Sequence, residues 1–189
     1  MDVIDKILEV ARSYQGQQEV RGNKGFKVKW FQKLMERMGW KKGQPWCAYL
    51  VEAVWKEAYG KFSADMTSEL DKLFSASAVQ TFKNFNDSNR WHTSEIPVAG
   101  ALAVWRYYKN GKPTWRGHIG VVEEMLSDNK IKTIDGNTND GKSREGYIVA
   151  PVERVVDFEP KDSGLVMMGF IHPRLLFEKR QTTDYKKIA

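Results

Sequence analysis

With one cysteine in 189 residues, the chain cannot close an internal disulfide, so Cys47 has to be explained by packing or by chemistry. One cysteine and three histidines in no ligand spacing also exclude a zinc site of the usual Cys/His kind. No stretch approaches the apolar length of a membrane-spanning helix, which excludes stable membrane insertion by that route. Internal repeats and low-complexity tracts are absent. The amphipathic opening, with apolar residues at 3, 4, 7, 8 and 11, has neither the basic start nor the unbroken apolar core of a signal peptide, so synthesis in the cytoplasm is expected. A calcium loop is suggested by alternating oxygen side chains in Asp135-Gly136-Asn137-Thr138-Asn139-Asp140-Gly141. The pattern fails, because Asp140 stands where glycine is required and Gly146 where a bidentate glutamate is required. No metal and no cofactor are therefore expected.

What is present fits one enzyme-sized domain. A hydrophobic content of 41% can bury one sizeable core, placed at residues 1–177, with a polar tail at 178–189. Apolar periodicity predicts helices near 2–14, 26–38, 47–59 and 67–86, the last broken around Ser75-Ala76-Ser77. Strands follow near 101–108, 117–125, 130–135, 146–150 and 165–172, separated by turn-rich segments. Helices followed by a meandering antiparallel sheet make an α+β domain. The net charge of +6 favours polyanions. With no recognised nucleic-acid motif, and cations scattered over helices, loops and tail, a nucleic-acid partner is not expected.

Cys47 directly precedes the apolar-periodic run Tyr49, Leu50, Ala53, Val54, which places it at a helix N-terminus. Unpaired N–H groups and the helix dipole there favour thiolate over thiol. Free cysteine is also a common buried residue, so chemistry requires a base. His118 opens the β-rich run Gly117-His118-Ile119-Gly120-Val121-Val122, where a sheet would hold the imidazole rigidly. His92, in a polar stretch, and His172, where a last strand meets Pro173, read as structural. The hairpin after His118 returns to Asp135-Gly136-Asn137, whose alternate residues share one face. Either Asp135 or Asn137 can orient the imidazole, and the same three residues are also ordinary turn formers.

Together, Pro45-Trp46-Cys47-Ala48, the Gly-His-Ile-Gly-Val-Val strand, Asp-Gly-Asn-Thr-Asn and the closing Gly169-Phe170-Ile171 resemble the CHAP family. These are papain-like cysteine, histidine-dependent amidohydrolases/peptidases found in phage endolysins and bacterial wall hydrolases. The upstream stretch from Gly16 to Gly25 is similar to the Glu-then-Gly-Asn segment of one branch. Two positions depart from the family pattern: Gly100-Ala101, where Gly-Asp is frequent, and Asp135, where many relatives carry glutamate. The resemblance implies a papain-like fold with N-terminal helices on an antiparallel sheet, Cys47 as nucleophile, His118 as base, and Asp135 with Asn137 as polar partners. Trp46 is expected to line the substrate groove, with Gln44, Glu19, Asn23 and Trp115 as further substrate-binding candidates. The implied activity is cleavage of an amide bond in bacterial peptidoglycan by a monomer acting as a phage endolysin, reaching the wall after release or delivery. The alternatives are an inactive papain-like binding module and a cysteine hydrolase of a non-wall amide.

Overall fold

The computed structural model describes residues 1–139 and 146–176; residues 140–145 and the expected tail at 178–189 lie outside the described residues. Five helices come first: α1 (Val3–Ser13), α2 (Lys29–Arg37), α3 (Cys47–Gly60), α4 (Ala64–Leu73) and α5 (Ala78–Asp87). A small hairpin of β1 (Glu19–Val20) and β2 (Gly25–Phe26) stands between α1 and α2. The other strands, β3 (Thr93–Ser94), β4 (Leu102–Lys109), β5 (Lys112–Ser127), β6 (Lys130–Thr138), β7 (Ile148–Val155) and β8 (Gly164–Ile171), form one sheet in the order β3-β8-β4-β5-β6-β7. Every neighbouring pair is antiparallel, giving the α+β architecture that the residue pattern implies.

The core is organised around α3, in which every residue from Cys47 to Trp55 is buried. A helix apolar on all sides must be enclosed. Here α1, α2 and α4 lie against it together with strands β5 and β6. Alternation along β5 sends Ile119 and Val121 into this main core, while Val122 joins a second cluster with Ala103 and Trp105. Gly136 lets α3 approach β6, since a Cβ there would stand 2.6 Å from Leu50 and 2.8 Å from Trp46.

Element boundaries differ from the sequence expectation where local chemistry intervenes. The helix expected over 26–38 starts at Lys29, because Gly25 and Phe26 pair with Val20 and Glu19, and the Phe26 N–H donates to the Gln32 side chain. The break in the fourth helical stretch falls where expected, and each half has its own serine cap, Ser63 and Ser77. The strand expected at 146–150 runs on through Pro151 to Val155, because β7 is an edge strand that tolerates a missing N–H. The stretch around His92 is not wholly a surface loop: Trp91 is buried, stacked on Trp55, and Thr93–Ser94 pair with β8.

Candidate active site

Cys47 is the first residue of α3, 7% exposed. Asp2, Ser63 and Ser77 cap their helices through side-chain oxygens, but Trp46 at the head of α3 has no acceptor to offer. The first-turn N–H groups are therefore left without a side-chain cap beside the sulfur.

His118 lies on β5 opposite Trp105 of β4, and Asp135 lies on β6 opposite Gly120 of β5. The histidine Nε2 donates to Asp135 Oδ2 at 2.8 Å. The other ring nitrogen, Nδ1, takes no part in that bond, and Cys47 lies close enough to the imidazole to favour its protonated form. Burial works against the imidazolium, but the charge and hydrogen bond of Asp135, with a further contribution from Cys47, raise the His118 pKa to about 9. Asp135 is fully buried, which alone would raise its pKa; the charges of His118 and Arg154 override burial and hold it at about 2.

Gly120 makes this arrangement possible. Asp135 Oδ1 lies 1.9 Å from where a Cβ on Gly120 would stand, so any larger residue would displace the carboxylate. That oxygen has no hydrogen-bond partner among the described residues, and the pairing is concentrated on Oδ2. Of the two candidate orienters, Asp135 holds the ring. Asn137 sits at φ +54° where the β6–β7 ladder shifts register, and none of its hydrogen bonds within the described residues reaches His118.

Arg154 of β7 was not foreseen. Its Nε donates to Asp135 Oδ2 at 3.0 Å and its Nη2 donates to the same oxygen. The guanidinium lies 4.8 Å above the Trp105 ring, whose centroid is 5.9 Å from that of His118. Arg154 is in register with Ile131, four residues along β6 from Asp135, so the contact runs lengthwise over the sheet. The only sequence signal is an arginine in the strand beyond the aspartate, which is uninformative until that register is known.

The substrate-binding expectations for Trp46, Glu19 and Asn23 need correction. Trp46 is 0% exposed and cannot line a groove; its ring packs edge-on to Phe26 at 5.2 Å, and its Nε1 donates to Glu19 Oε2 at 2.7 Å. Glu19 is itself buried and also accepts from the Asn23 backbone N–H at 3.2 Å. With its amide oriented to suit its neighbours, Asn23 donates to Glu19 Oε2 and to the Gln44 carbonyl. Glu19 and Asn23 thus tie the β1–β2 hairpin to the segment leading into α3, behind the thiol. Gln44 accepts through Oε1 from the Lys41 N–H at 2.8 Å and the Tyr49 hydroxyl at 2.9 Å, which leaves the donor end of its amide without an acceptor among the described residues. Trp115 projects from β5, 76% exposed, against the Arg116 guanidinium. His92 and His172 meet edge to face at 4.8 Å, and neither joins the cluster. Among the described residues, no three His, Cys, Asp or Glu side chains are grouped as metal ligands would be.

Compared with known proteins, the chain matches the family model described as CHAP domain over residues 39–137, just over half its length. The matched region holds Cys47, His118 and Asp135, while Arg154 and Glu19 lie outside it. No curated protein and no solved structure matches the chain significantly.

Proposed function

Since the chain belongs to the CHAP domain family, whose members are peptidoglycan hydrolases of the amidase/peptidase type, we propose that it cleaves an amide bond of peptidoglycan with Cys47 as nucleophile. One observation carries this reading: a thiol at an uncapped helix start is coupled electrostatically to an imidazole whose Nε2 is held by a buried, ionised carboxylate. In a nucleophile–base–orienter set the orienter fixes the tautomer and stabilises the imidazolium. Asp135 does both for His118, and the raised His118 pKa suits a proton acceptor from sulfur.

In the proposed reaction the reactive form is a Cys47 thiolate paired with protonated His118, the proton having passed from sulfur to the ring before the sulfur attacks the amide carbonyl. The resulting oxyanion is stabilised by the Cys47 backbone N–H, and the free amide donor of Gln44 is the candidate second donor. His118 returns its proton to the departing amine as the C–N bond breaks, leaving a thioester. Water, activated by His118, then releases the acid and restores the thiol.

The cellular role we propose is that of a phage endolysin, acting on the wall from within a lysing cell; the occurrence of such domains in endolysins supports it. Wild-type protein should clear a suspension of purified walls, and Cys47→Ser and His118→Ala should not, while keeping the circular dichroism of the parent. A folded Cys47→Ser protein that still clears the suspension overturns the assignment.

A further inference from the structure

The surplus of six positive charges is not spread evenly. Residues 21–42, comprising the end of the β1–β2 hairpin, α2 and part of the loop before Cys47, hold eight lysines and arginines against one carboxylate, Glu36. The rest of the chain is therefore slightly acidic. All eight cations are exposed, and none forms a salt bridge with a described carboxylate. Elsewhere several cations are paired, as in Arg12 with Glu123, Lys132 with Glu123 and Lys161 with Asp157, while others, Lys109 and Lys112 among them, stand singly among the described residues.

The start of α2 carries charge that the helix's own electrostatics disfavour, although Arg37 in the last turn suits the dipole. Lys29 stands at the positive end of the dipole, with no acidic residue in the first turn and no capping side chain. Lys29, Lys33 and Arg37 then repeat at the four-residue spacing where like charges repel. In the same strip Trp30 is 48% exposed, its ring braced edge-on against Phe31 at 5.6 Å. Trp30, Lys33, Glu36 and Arg37 line an open cleft of about 510 Å³, to which none of Cys47, His118 and Asp135 contributes. An element that breaks local rules without internal compensation points to use of its field by a partner.

We propose that this face of α2 docks a phosphate-bearing glycan polymer attached to peptidoglycan, with phosphates on the Lys29–Lys33–Arg37 row and a sugar ring stacked on Trp30. The choice of polymer rests on the wall-hydrolase reading. A lipid surface would need an apolar strip along the helix, yet Phe31, Leu34 and Met35 are buried. Single-stranded nucleic acid is bound over successive aromatic platforms, and α2 exposes one. Docking to an insoluble substrate raises the local concentration of the enzyme at the bonds it cuts.

The test is sedimentation of Cys47→Ala protein with purified walls, before and after hydrofluoric-acid removal of the phosphodiester-linked polymer. Binding to native walls should weaken about tenfold or more between about 50 and 200 mM salt. It should weaken to a similar extent on stripped walls, in the Lys29→Gln/Lys33→Gln/Arg37→Gln protein and in Trp30→Ala. In the triple variant the relieved repulsions at Lys29 and Lys33 offset the loss of Arg37 from the negative end of the dipole, so its thermal midpoint should hold, which separates lost binding from unfolding. Equal binding to stripped walls, undiminished binding by the triple variant, or preference for DNA or anionic phospholipid vesicles over native walls overturns the proposal. Wild-type hydrolysis of soluble wall fragments needs no docking. Its presence while wall binding fails refutes the docking surface alone; its absence while polymer-dependent binding persists refutes the hydrolase reading and leaves the surface standing.

Discussion

Three N–H groups from two residues converge on a single oxygen, Asp135 Oδ2, and this crowding defines the electrostatics of the site. The carboxylate is ionised because two cations face it, and the imidazole is basic because that carboxylate faces it. With Asn at this position the largest raising contribution disappears, and burial, which lowers the His118 pKa, is opposed only by Cys47. The raised His118 pKa sets the expected alkaline limb of kcat/KM near pH 9 in the parent, and Asp135→Asn should move it downward by more than one pH unit. Rate measurements across pH check this, and an unmoved alkaline limb would detach Asp135 from the imidazole. Cys47 and His118 are legible in the sequence, since a sole cysteine precedes an apolar-periodic run and the histidine opens a β-branched one. The burial of Trp46 is not, because it depends on Phe26, Phe31 and Glu19 closing over the ring from an earlier segment.

At the scale of elements, the site is assembled from the start of α3 and from three consecutive strands, β5, β6 and β7. The edge strand β7 contributes through Arg154, which spans the face to reach Asp135 while lying flat over Trp105. Replacing it by methionine keeps much of the packing but removes two charge-assisted hydrogen bonds from a fully buried acid. Arg154→Met should cost about 1–3 kcal/mol in stability. Because a positive neighbour is lost while Asp135 stays, the alkaline limb should hold or rise as kcat falls. Denaturant titration and a pH–rate profile together distinguish this from Asp135→Asn, where the limb drops. The helices and strands follow from periodicity, but the reach of Arg154 depends on cross-strand register, and the hairpin at Glu19–Phe26 on a positive-φ turn at Gly22 and Asn23.

Across the whole molecule, the buried ion pair ties folding to pH. The folded His118 pKa lies above its ordinary 6.5, so the stability it contributes is complete below pH 6.5 and lost as the pH rises through about 9. The folded Asp135 pKa lies below its ordinary 3.8, so its contribution is complete above pH 3.8 and lost as the pH falls through about 2. The thermal midpoint should decline between pH 6.5 and 9, and that decline should flatten in His118→Gln; a wild-type midpoint that rises over this interval would contradict the coupling. Charge distribution is also a property of the whole chain. Composition records the surplus, but the concentration of unpaired cations on α2 emerges only once the salt bridges of the other elements are seen. The central claim, that sulfur attacks a wall amide with imidazole help, is tested most directly by mass analysis of fragments released from purified peptidoglycan. The account predicts products that gain one water across an amide bond, formed at least about 10³-fold more slowly by Cys47→Ser. Products of glycosidic cleavage, or amide products formed equally fast by Cys47→Ser, would contradict it.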